Sequence, residues 1–121
     1  MPGVTAPRGP GFRFRGHPSA LQCRPMARPT KLDSAAVDAW LKTHAGWERA
    51  GEAIAKRFTF PDFAAALAFV VRVGCAAEKR DHHPDVELGW GRVRLVWSTH
   101  DAGGITQLDL DLAEASDRGA A

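Results

Sequence analysis

Between Arg92 and Thr99 the side chains alternate strictly, with Val93, Leu95 and Trp97 on one side of the chain and Arg92, Arg94 and Ser98 on the other. A period of two over that length describes a strand with one dry face and one wet face. Such a strand fits an antiparallel sheet that is covered on one side only. The neighbouring segments must then supply both partners and cover. Gly89 and Gly91 mark a turn around Trp90, so residues 86–88 are the preceding strand of a hairpin. Residues 47–50 and 53–60 form a second hairpin around Gly51-Glu52, with Ile54, Phe58 and Phe60 on one face and Arg57 and Thr59 on the other.

Helical periodicity fills the gaps. After Asp33 or Ser34, either a good N-cap, Val37, Trp40, Leu41 and His44 recur at helical spacing until Gly46. Pro61 and Asp62 open a second helix, in which Phe63, Leu67, Val70, Val71 and Gly74 follow the pattern of a buried stripe. It should end near Arg80, ahead of Pro84. Thr106 caps a last helix with Leu108, Leu112 and Ala115 as its apolar face. The expected fold is α+β, a four-stranded antiparallel sheet with helices packed on one face in the order α-β-β-α-β-β-α. Its edge strands, and Ala64, Ala65, Ala68 and Ala76 along the second helix, suit self-association.

Residues 1–28 differ in kind. They hold five arginines and no acid, which exceeds the formal charge of +2 for all 121 residues, so the remainder is net acidic. A mildly acidic body argues against general nucleic-acid binding, which draws on phosphate neutralisation. Prolines and glycines break any apolar period in this stretch, so it is expected to be a disordered or non-native extension, with Met26 as a natural start and residues 29–121 as the domain. Cys23 and Cys75 cannot build a disulfide framework, which favours a reducing, cytoplasmic setting. The longest apolar run, residues 63–71, is interrupted by Arg72 and is too short to span a bilayer.

Three polar groups fall where elements end: residues 78–84 (Glu-Lys-Arg-Asp-His-His-Pro), residues 98–101 (Ser-Thr-His-Asp), and Asp109 in the first turn of the last helix. Loops and strand ends on a rigid scaffold are where reactive groups are usually presented. Imidazoles suit proton exchange near neutral pH. His82, His83 and His100 could instead hold zinc, although adjacent histidines diverge and Cys75 lies too deep in an apolar helix to be an obvious ligand. Each residue also has a plain structural reading: the two histidines as a helix end, Pro84 as a terminator, Asp109 as the acid of a capping box. No nucleophile triad, phosphate-binding glycine loop or cofactor fingerprint is present.

The joint order is more specific than its parts. Residues 78–84, the Gly-Trp-Gly hairpin, residues 99–106 (Thr-His-Asp-Ala-Gly-Gly-Ile-Thr) and Asp109 together closely resemble the pterin-4a-carbinolamine dehydratase family. Gly46-Trp47 and residues 58–63 (Phe-Thr-Phe-Pro-Asp-Phe) resemble it too. One departure is Asp85-Val86 after the His-His-Pro, where relatives often place an aromatic residue; Trp90 is the candidate to compensate in the pocket wall.

The resemblance implies a hydro-lyase that removes water from 4a-hydroxy-tetrahydropterin to give the quinonoid dihydropterin. That step recycles the pterin cofactor of aromatic amino acid hydroxylases and needs no metal or organic cofactor. It implies His82, His83 and His100 as the active-site triad, with His82 and His100 as alternative acid/base groups near the hydroxyl and His83 binding and orienting the pterin. Glu78 and Asp109 are partners for a histidine or for the pterin's guanidine-like edge, and Pro84 and Trp90 complete the binding residues. It also implies a homodimer, or a homotetramer through the second helix. A non-enzymatic dimerisation scaffold of the coactivator kind, on the same fold, is the alternative. A third is pterin handling outside hydroxylation, as in molybdenum-cofactor metabolism.

Overall fold

A computed structural model of the chain describes residues 29–121; the expectations for residues 1–28 lie outside the described residues. The elements run α1 (Ser34–Thr43), β1 (Glu48–Ala50), β2 (Ala53–Thr59), α2 (Phe63–Lys79), β3 (Asp85–Gly89), β4 (Arg92–Trp97), a 3-10 turn (His100–Ala102) and α3 (Gln107–Ala120). The four strands form one antiparallel sheet in the order β1-β2-β4-β3. The α+β architecture expected from the alternation is therefore the one observed.

The central pair β2 and β4 sets the register, with Ile54 opposite Trp97 and Phe58 opposite Val93. Ile54, Phe58, Val93, Leu95 and Trp97 all point to one side, where they meet Val37 of α1, Phe69 and Val73 of α2, and Leu110 and Ala113 of α3 in one core. Phe69 is wedged between Phe58 and Phe60, with ring centroids 4.7 and 5.0 Å away. Removing a ring of that kind from a closed core costs about 3–5 kcal/mol. Asp33 and Asp62 start α1 and α2 by accepting the amides of Ala36 and Ala65, at 2.8 and 2.7 Å.

Three local expectations change. In α2 the stripe of Phe63, Leu67 and Val71 is exposed, and the helix buries Ala66, Phe69, Val73 and Ala77 instead. The helix carries two apolar faces, and the sheet takes the one whose alanines let the backbone approach closely around Phe69. Cys75 is exposed, not deep in the helix. In α3, Leu112 is buried as expected, but Leu108 and Ala115 are only half-buried while Asp109, Leu110, Ala113 and Ser116 are buried. The helix is rolled so that Asp109 faces inward.

Lys56 shares the covered face with Ile54 and Phe58. Its ammonium lies 4.9 Å from the Phe58 ring centroid and 2.7 Å from Oδ1 of Asp117, whose Oδ2 accepts the Trp47 indole N–H at 2.9 Å. The pair ties the last turns of α3 to the β1–β2 hairpin and closes the core at that end. Among the described residues no helix is long and apolar enough to cross a membrane.

Candidate active site

The C-terminus of α2 sets the geometry of the first histidine. Asp81 adopts φ +46°, the left-handed region, just after the cap residue Arg80. The Asp81 amide then donates to the Glu78 carbonyl at 3.2 Å, and the His82 amide donates to the Ala77 carbonyl at 3.1 Å. This is a Schellman closure with aspartate where glycine is usual. It folds the chain back so that the His82 side chain drops beside β4. The imidazole stacks on Trp97, with centroids 5.8 Å apart and planes 20° from parallel, and keeps only 12% of its side-chain surface exposed.

His82 Nε2 lies 2.5 Å from Oδ1 of Asp109, a side chain with no exposed surface. Oδ2 of the same carboxylate accepts the Thr99 hydroxyl at 2.7 Å and the Thr106 amide at 2.9 Å. The Thr106 hydroxyl sits 2.9 Å from that of Thr99, and both threonines are buried. A carboxylate withdrawn from water is tolerable only when its oxygens are satisfied, and three donors satisfy these. Thr106 N–H to Asp109 is also the returning bond of a capping box, so one side chain starts α3 and holds the histidine.

The other candidates lie around this centre. His83 is half exposed, with Nε2 2.7 Å from Oε2 of Glu78 one turn back on α2. Pro84 leads directly into β3. Thr99 pairs with Gly104 across the 3-10 turn, which closes through Gly103 at φ +74°. That clamp presents His100, exposed, at the rim of a cleft of about 370 Å³ shared with Asp85, Val96, Ser98 and Glu52. Val96 and Ser98 line that cleft, whereas Trp97, between them in the alternation, faces the core and carries the His82 ring.

Of the residues singled out in sequence, His82 pairs with Asp109 and His83 with Glu78 in two separate hydrogen bonds, and His100 is adjacent to Thr99, which bonds to Asp109. Asp109 offers no surface to a ligand; its contacts are to the histidine and the two threonines. Trp90 is not brought to the site. It is 70% exposed in the turn at the far end of β4, about 20 Å along the strand from His100. Asp81 and Thr99 lie within the polar groups visible in sequence and Thr106 reads there as a cap, but their parts in the site, and that of Trp97, show only in the structure, where a strand, a tight turn and a helix start bring Thr99, Thr106 and Asp109 together. Among the described residues no three His, Cys, Asp or Glu side chains converge as a metal site would require.

Residues 30–118 match the family model described as pterin 4 alpha carbinolamine dehydratase. A protein of Roseiflexus sp. strain RS-1, provisionally named pterin-4-alpha-carbinolamine dehydratase, is 47% identical over 88 residues, covering 73% of this chain and 95% of its own. One from Rhizorhabdus wittichii with the same provisional name is 53% identical over 64 residues, 53% of this chain and 66% of that one. The crystal structure of a transcriptional coactivator/pterin dehydratase from Brucella melitensis superposes with a TM-score of 0.73 at 32% identity, over 76% of this chain and all of that one. A pterin dehydratase-like protein described as a RuBisCO assembly factor of the alpha-carboxysome shares the fold, with a TM-score of 0.55 at 24% identity over 64% of this chain and 92% of its own. A match that spans the sheet, all three helices and every histidine of the site places this chain in the pterin 4 alpha carbinolamine dehydratase family.

Proposed function

We propose that the protein dehydrates a 4a-hydroxy-tetrahydropterin to the quinonoid dihydropterin, in recycling of the cofactor of an aromatic amino acid hydroxylase. The observation that carries the reading is the buried Asp109 holding His82 beside His83, with His100 one residue beyond the same hydrogen-bonded cluster. An imidazole backed by a fixed carboxylate is a positioned proton-transfer group. The C4a–O bond breaks as a proton is delivered to the departing hydroxyl, and a ring N–H gives up its proton to a base; water leaves and no electrons are exchanged with a cofactor. His82 and His100 are the acid/base groups. His83, steadied by Glu78, orients the pterin, and Pro84 fixes the turn between them. The functional unit is residues 29–121, in a cytoplasmic homodimer or homotetramer. The test is the decay of freshly generated 4a-hydroxy-tetrahydropterin, which the purified protein should accelerate.

A second reading has its own support. The exposed strip of Phe63, Leu67 and Val71 on α2 would serve as a protein-binding surface, and the similar Brucella melitensis protein is described as a transcriptional coactivator/pterin dehydratase. In that case the protein is a scaffold. It would then leave pterin decay at the spontaneous rate while still binding a protein partner through α2.

A further inference from the structure

We propose that Thr99 is a positioning residue which, through Asp109, fixes the His82 ring so that Nδ1 rather than Nε2 exchanges the proton with substrate. The proposal rests on the dehydratase reading for its catalytic half. Its structural half stands on the hydrogen bonds alone.

A carboxylate can only accept, so the contact between Nε2 of His82 and Oδ1 of Asp109 places the hydrogen on Nε2. In a neutral imidazole the lone pair then lies on Nδ1, and no described residue hydrogen-bonds to that atom. Which oxygen faces His82 is decided on the other side of the carboxylate. Thr99 has one hydroxyl hydrogen and two neighbours, Asp109 Oδ2 at 2.7 Å and the Thr106 hydroxyl at 2.9 Å. Asp109 cannot donate, so the Thr99 hydrogen goes to Oδ2 and Thr106 donates to Thr99.

The Thr106 amide adds a second bond to Oδ2 at 2.9 Å, from a direction fixed by the start of α3. Rotating the carboxylate would break both bonds at a site with no exposed surface, where lost hydrogen bonds are not replaced by water. Trp97 stacks on one face of the imidazole and restricts its tilt. Without the Thr99 hydroxyl, Oδ2 retains the backbone bond and a long 3.5 Å contact from the Thr106 hydroxyl, and the carboxylate gains freedom to turn and let the ring take the other tautomer.

Nitrogen-15 spectra of the histidine rings in the wild-type protein need neither substrate nor a variant. The neutral His82 ring is expected with its hydrogen on Nε2 and Nδ1 bare; the opposite tautomer would overturn the proposal. Thr99→Val, close in shape, is expected to raise the fraction of the Nδ1–H form and to lower kcat about 10-fold with KM within about twofold. Thr99→Ser, which keeps the hydroxyl, is expected to restore both spectrum and kcat. A Thr99→Val protein with wild-type kcat and an unchanged spectrum, or a Ser variant as impaired as the Val variant, would overturn it. If the valine variant does not fold, the wild-type spectrum and the serine variant decide the matter. A wild-type protein with no effect on pterin decay counts against the dehydratase reading, and the tautomer measurement still decides the role of Thr99.

Discussion

Leu67 and Phe69 stand two positions apart on α2 and face opposite ways: Phe69 is fully buried beneath the sheet, whereas Leu67 keeps 44% of its surface in water. Phe63 and Val71, each four residues from Leu67, extend the exposed side into a strip. Covering the half of each side chain that is still exposed contributes roughly 1 kcal/mol apiece, counted on both protomers of a symmetric pair, which favours self-association. Light scattering is expected to show a dimer or tetramer at micromolar concentration. Leu67→Glu should shift it to monomer with its circular dichroism unchanged, since the residue leaves the core untouched. A wild-type monomer would reject the idea.

The two acid/base histidines should separate in their effects on stability. His82→Ala and His100→Ala are each expected to lower turnover about 10- to 1000-fold. Only His82→Ala should also lower the melting temperature, because it deprives buried Asp109 of a donor, at a cost of about 1–3 kcal/mol. His100 is exposed, and its removal should leave the melting curve where it is. His83→Ala should chiefly raise KM. Wild-type turnover in a folded His82→Ala/His100→Ala protein would discard the histidine mechanism.

At Asp81 the backbone takes a left-handed conformation that disfavours any residue with a Cβ. Asp81→Gly is expected to raise stability by up to about 1 kcal/mol, read from urea or thermal unfolding, with turnover retained. A loss of stability would show that the aspartate side chain contributes more than its backbone strain costs.

A chain beginning at Met26 should match the full-length protein in melting temperature and turnover, because the first cap of the fold is Asp33. A large drop in either would assign residues 1–25 a structural or catalytic part.

The sheet and the order of elements could be read because alternation in β4 and the turn residues around it leave one consistent arrangement. The facing of α2 could not. Phe63, Leu67, Val71 and Ala66, Phe69, Val73 are both apolar rows, and only the fit of Phe69 between Phe58 and Phe60 distinguishes them. The histidines were visible through their joint order with Thr99-His100 and Asp109. The bond from His82 to Asp109 is one of three uses that the sequence leaves open for that carboxylate, and its dependence on Thr99 is not visible there, because it requires knowing that the 3-10 turn brings Thr99 and Thr106 to the same oxygen. Lys56 gives no signal in sequence for the same reason: its partner Asp117 is 61 residues away.

Asp109 also makes the last docking step of folding discriminating. If α3 settles against the sheet one turn out of place, a carboxylate enters the core without its donors, and the chain loses several kcal/mol relative to the correct seat. Donors come from the end of β4, from the cap of α3 itself and from the residue just past α2, so they coincide only when all three segments have arrived. A molecule that has closed its core has therefore already placed the imidazole. Assembly of the site is checked by the fold, and a population of well-packed but chemically incompetent molecules has little room to accumulate.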